Sequence, residues 1–408
     1  MSSENSMDAN RILFVKERMA WPRSSGHDVH TFYMMQALAQ SGHAVGLATF
    51  DASPAEATAN GGLEAEFCFA DAIPHDDRTP IALTKWQEKF RSYWGISNER
   101  IRWVASVARE FRADTVVVSG LNVLPYLGAL PAETTKIWYA ADEWIWHHWS
   151  QLRLLKKSTW HEVKDGLLKG MYERAYRSIV NRNWVVSEAD AKAFRWLVGC
   201  RNNDVIPNGV DAEYYAPGDE TPAMNSCVFW GRLDFGPNIQ AVEWFCNRVW
   251  PKVRERVPDA KFNIYGFQPG AEVLAFHGKN GVSVIADLPD IRTAVRSNAV
   301  VVLPFVSGGG IKNKLLEAAA MGMPTIATPR VVAGLNGQPP IPAYRTPTEW
   351  ATALVELWQN SAKREQLGRD VRSWVVEHHT WSACADIVTD GIRHSRKPQP
   401  ENIALAIR

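Results

Sequence analysis

The sequence predicts two doubly wound α/β domains in one chain. At 408 residues it is past the size at which one hydrophobic core usually serves. Short apolar runs alternate with longer helical patterns in two successive series, as expected of parallel sheets covered by helices on both faces. Between the series, after a break at Asn208-Gly209, lies a turn-rich stretch from Ala216 to Asn225.

The first series opens with a strand at Arg11 to Lys16. A loop rich in Pro, Ser and Gly, Trp21 to Gly26, leads to a helix at His30 to Gln40, stopped at Ser41-Gly42. A strand at Ala44 to Phe50 completes a βαβ unit. A helix at Ile101 to Phe111 and strands at Thr115 to Ser119 and Lys136 to Ala140 follow. Leu152 to Ile179 reads as a long helical stretch with candidate interruptions at Gly166 and Gly170. A strand at Trp184 to Ser187, a helix at Glu188 to Leu197 and a strand at Asp204 to Pro207 close the series. In the second series, strands are expected at Cys227 to Trp230, Lys261 to Tyr265, Val282 to Ile285, Ala299 to Leu303 and Thr325 to Ala327. Helices fit at Asn238 to Val257, Ile291 to Ser297 and Lys312 to Met321, and beyond Tyr344 the pattern is helical to about Arg393. The expected domains are 1–215 and 226–380, joined by a linker at 216–225, with a C-terminal helix in 381–408 crossing back to the first domain. Such a pair places a ligand cleft between the domains, at the carboxyl ends of the strands.

Hydrophobic residues at 46% supply an ordinary core, and a net charge of +1 gives no global field to hold nucleic acid. The polar start, Met1 to Asn10, has no apolar segment of the signal-peptide kind and reads as a disordered tail. No apolar run reaches bilayer length, so the expected location is cytoplasmic, with peripheral attachment to the inner face of the membrane as a variant. The five cysteines are scattered without CxxC or metal-ligand spacing and read as reduced and structural. The 18 tryptophans are core filler or platforms for sugar rings; residue by residue the core reading is preferred.

The chemistry concentrates in Val301 to Gly322, VVLPFVSGGGIKNKLLEAAAMG. A buried strand ends at Pro304, Gly308, Gly309 and Gly310 follow, and a helix begins with Lys312 and Lys314 in its first turn and Glu317 one turn on. A helix N-terminus carries roughly +0.5 charge, so cations there are unfavourable by about 0.3–1 kcal/mol. A bound anion removes the conflict, and glycines let the backbone N–H groups approach it. Pyrophosphate is the natural candidate. Lys314 and Glu317 share a helix face, so the lysine can meet phosphate while the carboxylate accepts from sugar hydroxyls. From spacing alone, a plain surface Lys–Glu pair accounts for the segment nearly as well. It is not a P-loop, since GxxxxGK[ST] is absent.

The segment resembles the donor-site motif of retaining GT-B glycosyltransferases of family 4 (glycosyl transferases group 1), in their exopolysaccharide-type branch. The matching residues are Pro304, Gly308, Gly310, Lys312, Lys314, Leu316-Glu317-Ala318 and Gly322-Met323-Pro324. Val186 to Asp190 and Ile206 to Asp211 resemble the end of the family's N-domain; Phe229-Trp230-Gly231-Arg232 with Pro237-Asn238 resembles the start of its C-domain. Ser25-Gly26 resembles its glycine loop, and the likeness spans about residues 11 to 390.

The resemblance implies a GT-B fold, two Rossmann-like domains facing a central cleft, and transfer of a sugar from a nucleotide-diphosphate sugar to a glycan or lipid-linked acceptor with retention. It implies a UDP- or GDP-sugar donor, no required cofactor and no metal. The donor-binding residues would be Gly26, Arg232, Gly308, Gly309, Gly310, Lys312, Lys314 and Glu317, and the catalytic ones Asp142, Arg232 and Lys314. Arg232 and Lys314 would hold the phosphates and Glu317 the ribose. Three positions depart from the pattern. Gly309 stands where the first Glu of a Glu-x7-Glu pair is usual. Gly236-Pro237-Asn238 stands where a phosphate-binding lysine is usual. Ala141-Asp142-Glu143 stands where many relatives carry a histidine, which makes Asp142 the candidate cleft-facing polar group; a helix cap is its plainer role. A surface ion pair is the plainer reading of Arg232; given the full motif, phosphate binding is preferred. A tryptophan-rich run, with a basic helical stretch after it, makes residues 145–182 a candidate peripheral membrane contact, with packing and a solvated face as the simpler reading. Two rival functions share these residues: a nucleotide-sugar-binding protein without turnover, and a GT-B nucleotide-sugar epimerase.

Overall fold

The computed structural model describes residues 9–19, 26–50, 66–69, 78–141, 159–308 and 310–396. The chain divides into two compact units, Met1–Ile206 with Cys384–Arg408, and Pro207–Ala383.

The first unit is built on a seven-stranded sheet in the order β3-β2-β1-β4-β5-β6-β7. Its strands are β1 (Arg11–Lys16), β2 (Ala44–Thr49), β3 (Glu66–Phe69), β4 (Thr115–Ser119), β5 (Thr135–Ala141), β6 (Arg182–Val185) and β7 (Asn203–Val205). Every pairing is parallel, with Phe14 opposite both Leu47 and Val117. All of β4, TVVVS, is buried, as a strand covered on both faces requires. The helices are α1 (Gly26–Gln40), α2 (Lys85–Tyr93), α3 (Asn98–Glu110), α4 (Thr159–Tyr176) and α5 (Glu188–Ala193). Thr84 and Gln87 close a capping box on α2, and Ser97 caps α3.

The second unit carries a five-stranded parallel sheet in the order β10-β9-β8-β11-β12. These are β8 (Ala223–Arg232), β9 (Lys261–Phe267), β10 (Val282–Ala286), β11 (Asn298–Leu303) and β12 (Thr325–Ala327). Its helices are α6 (Gly236–Trp244), α7 (Trp250–Arg256), α8 (Ala271–Leu274), α9 (Ile291–Arg296), α10 (Asn313–Ala320), α11 (Pro329–Val332), α12 (Pro347–Gln359) and α13 (Ser361–His378). A last helix, α14 (Trp381–Arg396), starts at the end of this unit, and from Cys384 it belongs to the first. Rings from four elements interlock in the core: Phe245 lies 4.7 Å from Phe262, 5.9 Å from Trp250 and 5.9 Å from Trp350. Trp138, Trp184, Trp250 and Trp350 are fully buried, which bears out the core reading for these four.

Several boundaries differ from expectation for local reasons. The strand expected at Trp184 to Ser187 is Arg182–Val185, because Ser187 leaves the sheet to cap α5, its hydroxyl accepting from the Asp190 N–H. The strand expected to end at Pro207 ends at Val205, where proline has no N–H to give a ladder. Gly166 and Gly170 do not interrupt α4; both sit buried within it. Ala223 to Asn225, expected in the linker, belong to β8. The helix expected at Asn238 to Val257 is α6 and α7 joined by a π-helical turn, Phe245–Val249. Cys200, Cys227, Cys246 and Cys384 are buried thiols, and burial raises each thiol pKa, that of Cys246 and Cys384 to about 12. Among the described residues no helix is long and apolar enough to cross a membrane.

Candidate functional site

In the second sheet β8, β9 and β10 run outward one way and β11 and β12 the other. The carboxyl ends of β8 and β11 therefore frame a switch point, the usual place for a ligand in an open α/β sheet. The end of β8 supplies Trp230, Gly231 and Arg232. The chain leaving β11 turns through Gly308 and Gly310, at φ 84° and 69°, and enters α10. Backbone of that hand is where glycine alone is unstrained.

Lys312 is the N-cap of α10 with no side-chain capping bond, and Lys314 lies in its first turn. The Lys314 side chain runs under the end of β8. Its Nζ donates to Asn238 Oδ1 at 2.9 Å and lies 4.3 Å from the centre of the Phe229 ring and 5.0 Å from that of Phe305. Lys312 Nζ lies 5.3 Å over the same Phe305 ring. A Cβ on Gly231 (φ 143°) would stand 2.6 Å from Lys314 Nζ, so only glycine leaves the lysine room. Asn238 in turn donates to the Arg232 carbonyl at 2.7 Å, tying α6 to the end of β8.

Glu317 does not bond the lysine, though the two share a face. It accepts from Trp230 Nε1 at 3.0 Å and from the Tyr215 hydroxyl. Both ionisable ends are enclosed even though part of each residue still reaches surface. Burial raises the Glu317 pKa against the pull of Trp230 and Lys314. Burial lowers Lys314 to about 7; Glu317 opposes the shift and Lys312 adds to it. A lysine with one neutral oxygen partner and two aromatic faces has N–H capacity left for an anion.

A cavity of about 330 Å³ opens beside these groups. Glu317, Trp230, Gly231 and Arg232 form one wall and Gly266, Phe267 and Leu288 to Ile291 another, with Tyr214 and Tyr215 at its edge. Arg292 fixes Tyr214 from behind, its guanidinium 3.8 Å over the ring and bonded to Asp290 at 2.6 Å. Arg232 is exposed and holds Asp234 in two bonds of 2.9 and 3.1 Å, so it reaches the cavity as part of an ion pair. Asn208 Nδ2 donates to Asn313 Oδ1 at 2.8 Å, bringing the chain at the start of this unit to the first residue of α10.

The structure thus brings Arg232, Gly308, Gly310, Lys312, Lys314 and Glu317 to one switch point. Gly309 lies outside the described residues. So does Asp142, which follows the last residue of β5, as do the tryptophans and histidines at 144–149. Gly26 opens α1 in the first unit. Sequence reasoning missed Asn238, Trp230, Tyr215 and the Gly266–Ile291 wall as parts of the site. Asn238 was in view as a replacement for a lysine, but nothing in its spacing showed that it would hold another one.

A second polar cluster marks the switch point of the first sheet, between β1 and β4. Lys16 Nζ donates to Asp28 Oδ1 at 2.6 Å and sits 3.3 Å from His27 Nδ1, while His27 Nε2 lies 3.0 Å from Ser119 Oγ. Burial, with Lys16 and His30 near, lowers the His27 pKa to about 3. With the lysine donating to Nδ1, the ring keeps its hydrogen on Nε2 for Ser119.

Two family models match the chain: Glycosyltransferase Family 4 over residues 24–214 and Glycosyl transferases group 1 over residues 225–360. A curated relative, an uncharacterized 44.6 kDa protein in the cps region of Klebsiella pneumoniae, is 26% identical over 115 residues. That match covers 26% of this chain and 30% of the relative's length. Solved structures match nearly end to end at low identity. Sucrose-phosphate synthase from Thermosynechococcus elongatus shares 14% identity at a TM-score of 0.63, covering 94% of this chain and 98% of the other. Anabaena HepE, solved with UDP and glucose, shares 13% at 0.58, covering 94% and 99%. The pneumococcal O-GlcNAc transferase GtfA, solved with UDP and GlcNAc, shares 11% at 0.61, covering 95% and 99%.

Proposed function

The two family matches and the two parallel-sheet units make this chain a family 4-like glycosyltransferase of GT-B fold, and on that premise we propose that it transfers a sugar from a nucleoside-diphosphate sugar with retention of configuration. The observation that carries the proposal is Lys314: a half-buried lysine whose ammonium is enclosed, with no carboxylate bonded to its Nζ among the described residues, held at the mouth of a glycine turn and a helix N-terminus. The diphosphate takes the Gly308–Gly310 backbone, Lys314, Lys312 and Arg232. The ribose hydroxyls bond Glu317, and the base lies in the cavity against Gly266, Phe267 and Leu288 to Ile291.

The donor is a UDP- or GDP-sugar; two structural neighbours, HepE and GtfA, were solved with UDP. The protein's work in the reaction is to stabilise negative charge as the diphosphate leaves, through oriented N–H groups and Lys314, with no metal required. Gly26 and Asp142 serve the transferred sugar or the acceptor, and His27, fixed as a neutral ring, stands beside Gly26 in sequence as a further polar group of that unit. The acceptor is a glycan or a lipid-linked glycan, reached from the cytoplasm, with peripheral membrane contact through residues 145–182. A relative in the cps region supports a polysaccharide acceptor.

Binding without turnover is the second reading, favoured by Gly309 in the place of a usual carboxylate. Thermal-shift titration with UDP, GDP and ADP, then release of nucleoside diphosphate from the matching sugars, separates the two. Binding with slow release supports the transferase, and binding with no release under any acceptor supports the rival.

A further inference from the structure

The first unit exposes apolar side chains where a helix normally turns charge to water. Along α4 the outward residues are Lys164, Leu167, Met171 and Arg174, at spacings of three, four and three. Leu167 is 61% and Met171 49% exposed, with a cation at each end of the stripe. On α2 the outward line is Trp86, Lys89 and Tyr93, with Trp94 next; Trp86 is 58%, Tyr93 63% and Trp94 40% exposed.

These two helices are tied together. Tyr176 Oη donates to the Gln87 carbonyl at 2.7 Å, and Gln87 Nε2 donates to the Ala175 carbonyl at 2.8 Å. The Tyr172 ring meets Phe90 at 5.1 Å and Trp94 at 6.2 Å. A groove of about 380 Å³ lies between them, floored by Phe90, Tyr172 and Leu168. Contiguous apolar surface of this kind on a soluble unit marks a contact with something.

Charge decides what it contacts. The two helices carry six cations, Lys85, Lys89, Arg91, Lys164, Lys169 and Arg174, against four acids, Glu88, Glu162, Asp165 and Glu173. Glu88 is taken by Arg91 at 2.7 Å, and Glu173 is buried. Lys89 Nζ lies 5.2 Å over the exposed Trp86 ring. Protein interfaces deplete lysine from their apolar centre. Lysine mixed with Trp, Tyr and aliphatic side chains at one level suits the boundary between head groups and acyl chains.

We propose that the α2–α4 face docks on an anionic lipid surface. Trp86, Tyr93, Trp94, Leu167 and Met171 enter the boundary region, and Lys85, Lys89, Lys164 and Arg174 hold anionic head groups. This rests on the membrane contact of the reading above, names residues for it on α4 and extends it to α2, and it requires neither a particular donor nor turnover.

Flotation of the full chain with vesicles of phosphatidylcholine, with and without phosphatidylglycerol, tests it. The protein floats with the phosphatidylglycerol vesicles and is released as salt rises. The double variant Trp86→Ser, Leu167→Ser loses about tenfold or more of the partitioning, and Lys89→Glu with Lys164→Glu loses the preference for anionic lipid. All four side chains are exposed or solvent-facing, so the UDP-induced thermal shift stays as in the parent, which separates this proposal from the donor site. Three results overturn it: no flotation of the parent chain; unchanged flotation of both double variants; or a parent dimer that the Ser variant turns into a monomer, which assigns the face to a second copy.

Discussion

At the scale of single residues the proposed donor site turns on one amine. Burial disfavours the charged form of Lys314 and lowers its pKa to about 7. A diphosphate needs the ammonium, so above pH 7 binding must bring a proton with it. The affinity for UDP therefore falls by up to about tenfold per pH unit above 7, and is flat with respect to this group below it. Calorimetry in buffers of different ionisation enthalpy would read proton uptake directly; none at pH 8 would show that the amine is already charged in the free site.

The same amine works against folding. The unfolded chain holds this proton up to about 10.5, the folded one only to about 7, so the folded state is penalised fully below pH 7 and progressively less toward 10.5. Lys314→Met keeps the length of the side chain and its contact with Phe229 and Phe305. It is expected to keep or raise the Tm at pH 6.5 while UDP affinity drops by about tenfold or more. A Tm that falls together with affinity would make the lysine structural. Arg232→Ala is expected to weaken UDP less than any change at Lys314, since this exposed guanidinium already shares its charge with Asp234. Parallel titrations rank the two.

At the scale of elements, the cavity depends on how closely two strand ends approach. A Cβ on Gly266 would stand 1.8 Å from the Gly231 carbonyl oxygen, which is backbone and cannot swing aside. Gly266→Ala is expected to part β8 from β9, cost about 1–3 kcal/mol and remove UDP binding. Denaturant melts and a UDP titration check both. These elements also show what the sequence could reveal. The strands β4 and β11 are legible because a strand buried on both faces carries an unbroken apolar run, here Val116 to Val118 and Ala299 to Leu303. The Gly308–Glu317 segment is legible because two lysines at a helix start contradict the helix dipole unless an anion answers them. Asn238, Trp230 and the Leu288 to Ile291 wall were not legible, because they meet Lys314 and Glu317 only through strand order, and β11 lies beside β8 after two other strands have intervened. Gly166 and Gly170 misled for the opposite reason. Their lost propensity, about 1 kcal/mol each, is outweighed by packing of α4, where both are buried.

At the scale of the whole molecule, the last helix is part of the first unit's core. Cys384, Ala385, Val388 and Ile392 of α14 are buried, and His43 Nε2 lies 3.1 Å from Thr389 Oγ1. A chain ending at Ala383 is expected to lose several degrees of Tm in the first unit, while the second, whose proposed UDP site lies within Pro207–Ala383, keeps its ligand-induced shift. Two transitions in a calorimetric scan, one of them moved by UDP, would report this.

The central claim is that one helix start in the second unit, with its glycine turn and its half-buried lysine, is a nucleoside-diphosphate site. Equilibrium titration of UDP and GDP into the parent chain, Lys314→Ala and Glu317→Ala tests it most directly. The account predicts saturable binding of at least one nucleotide to the parent chain, and loss of about tenfold or more in each variant with the thermal transition otherwise intact. Equal affinity in all three proteins, or no binding of either nucleotide to the parent chain, would contradict it.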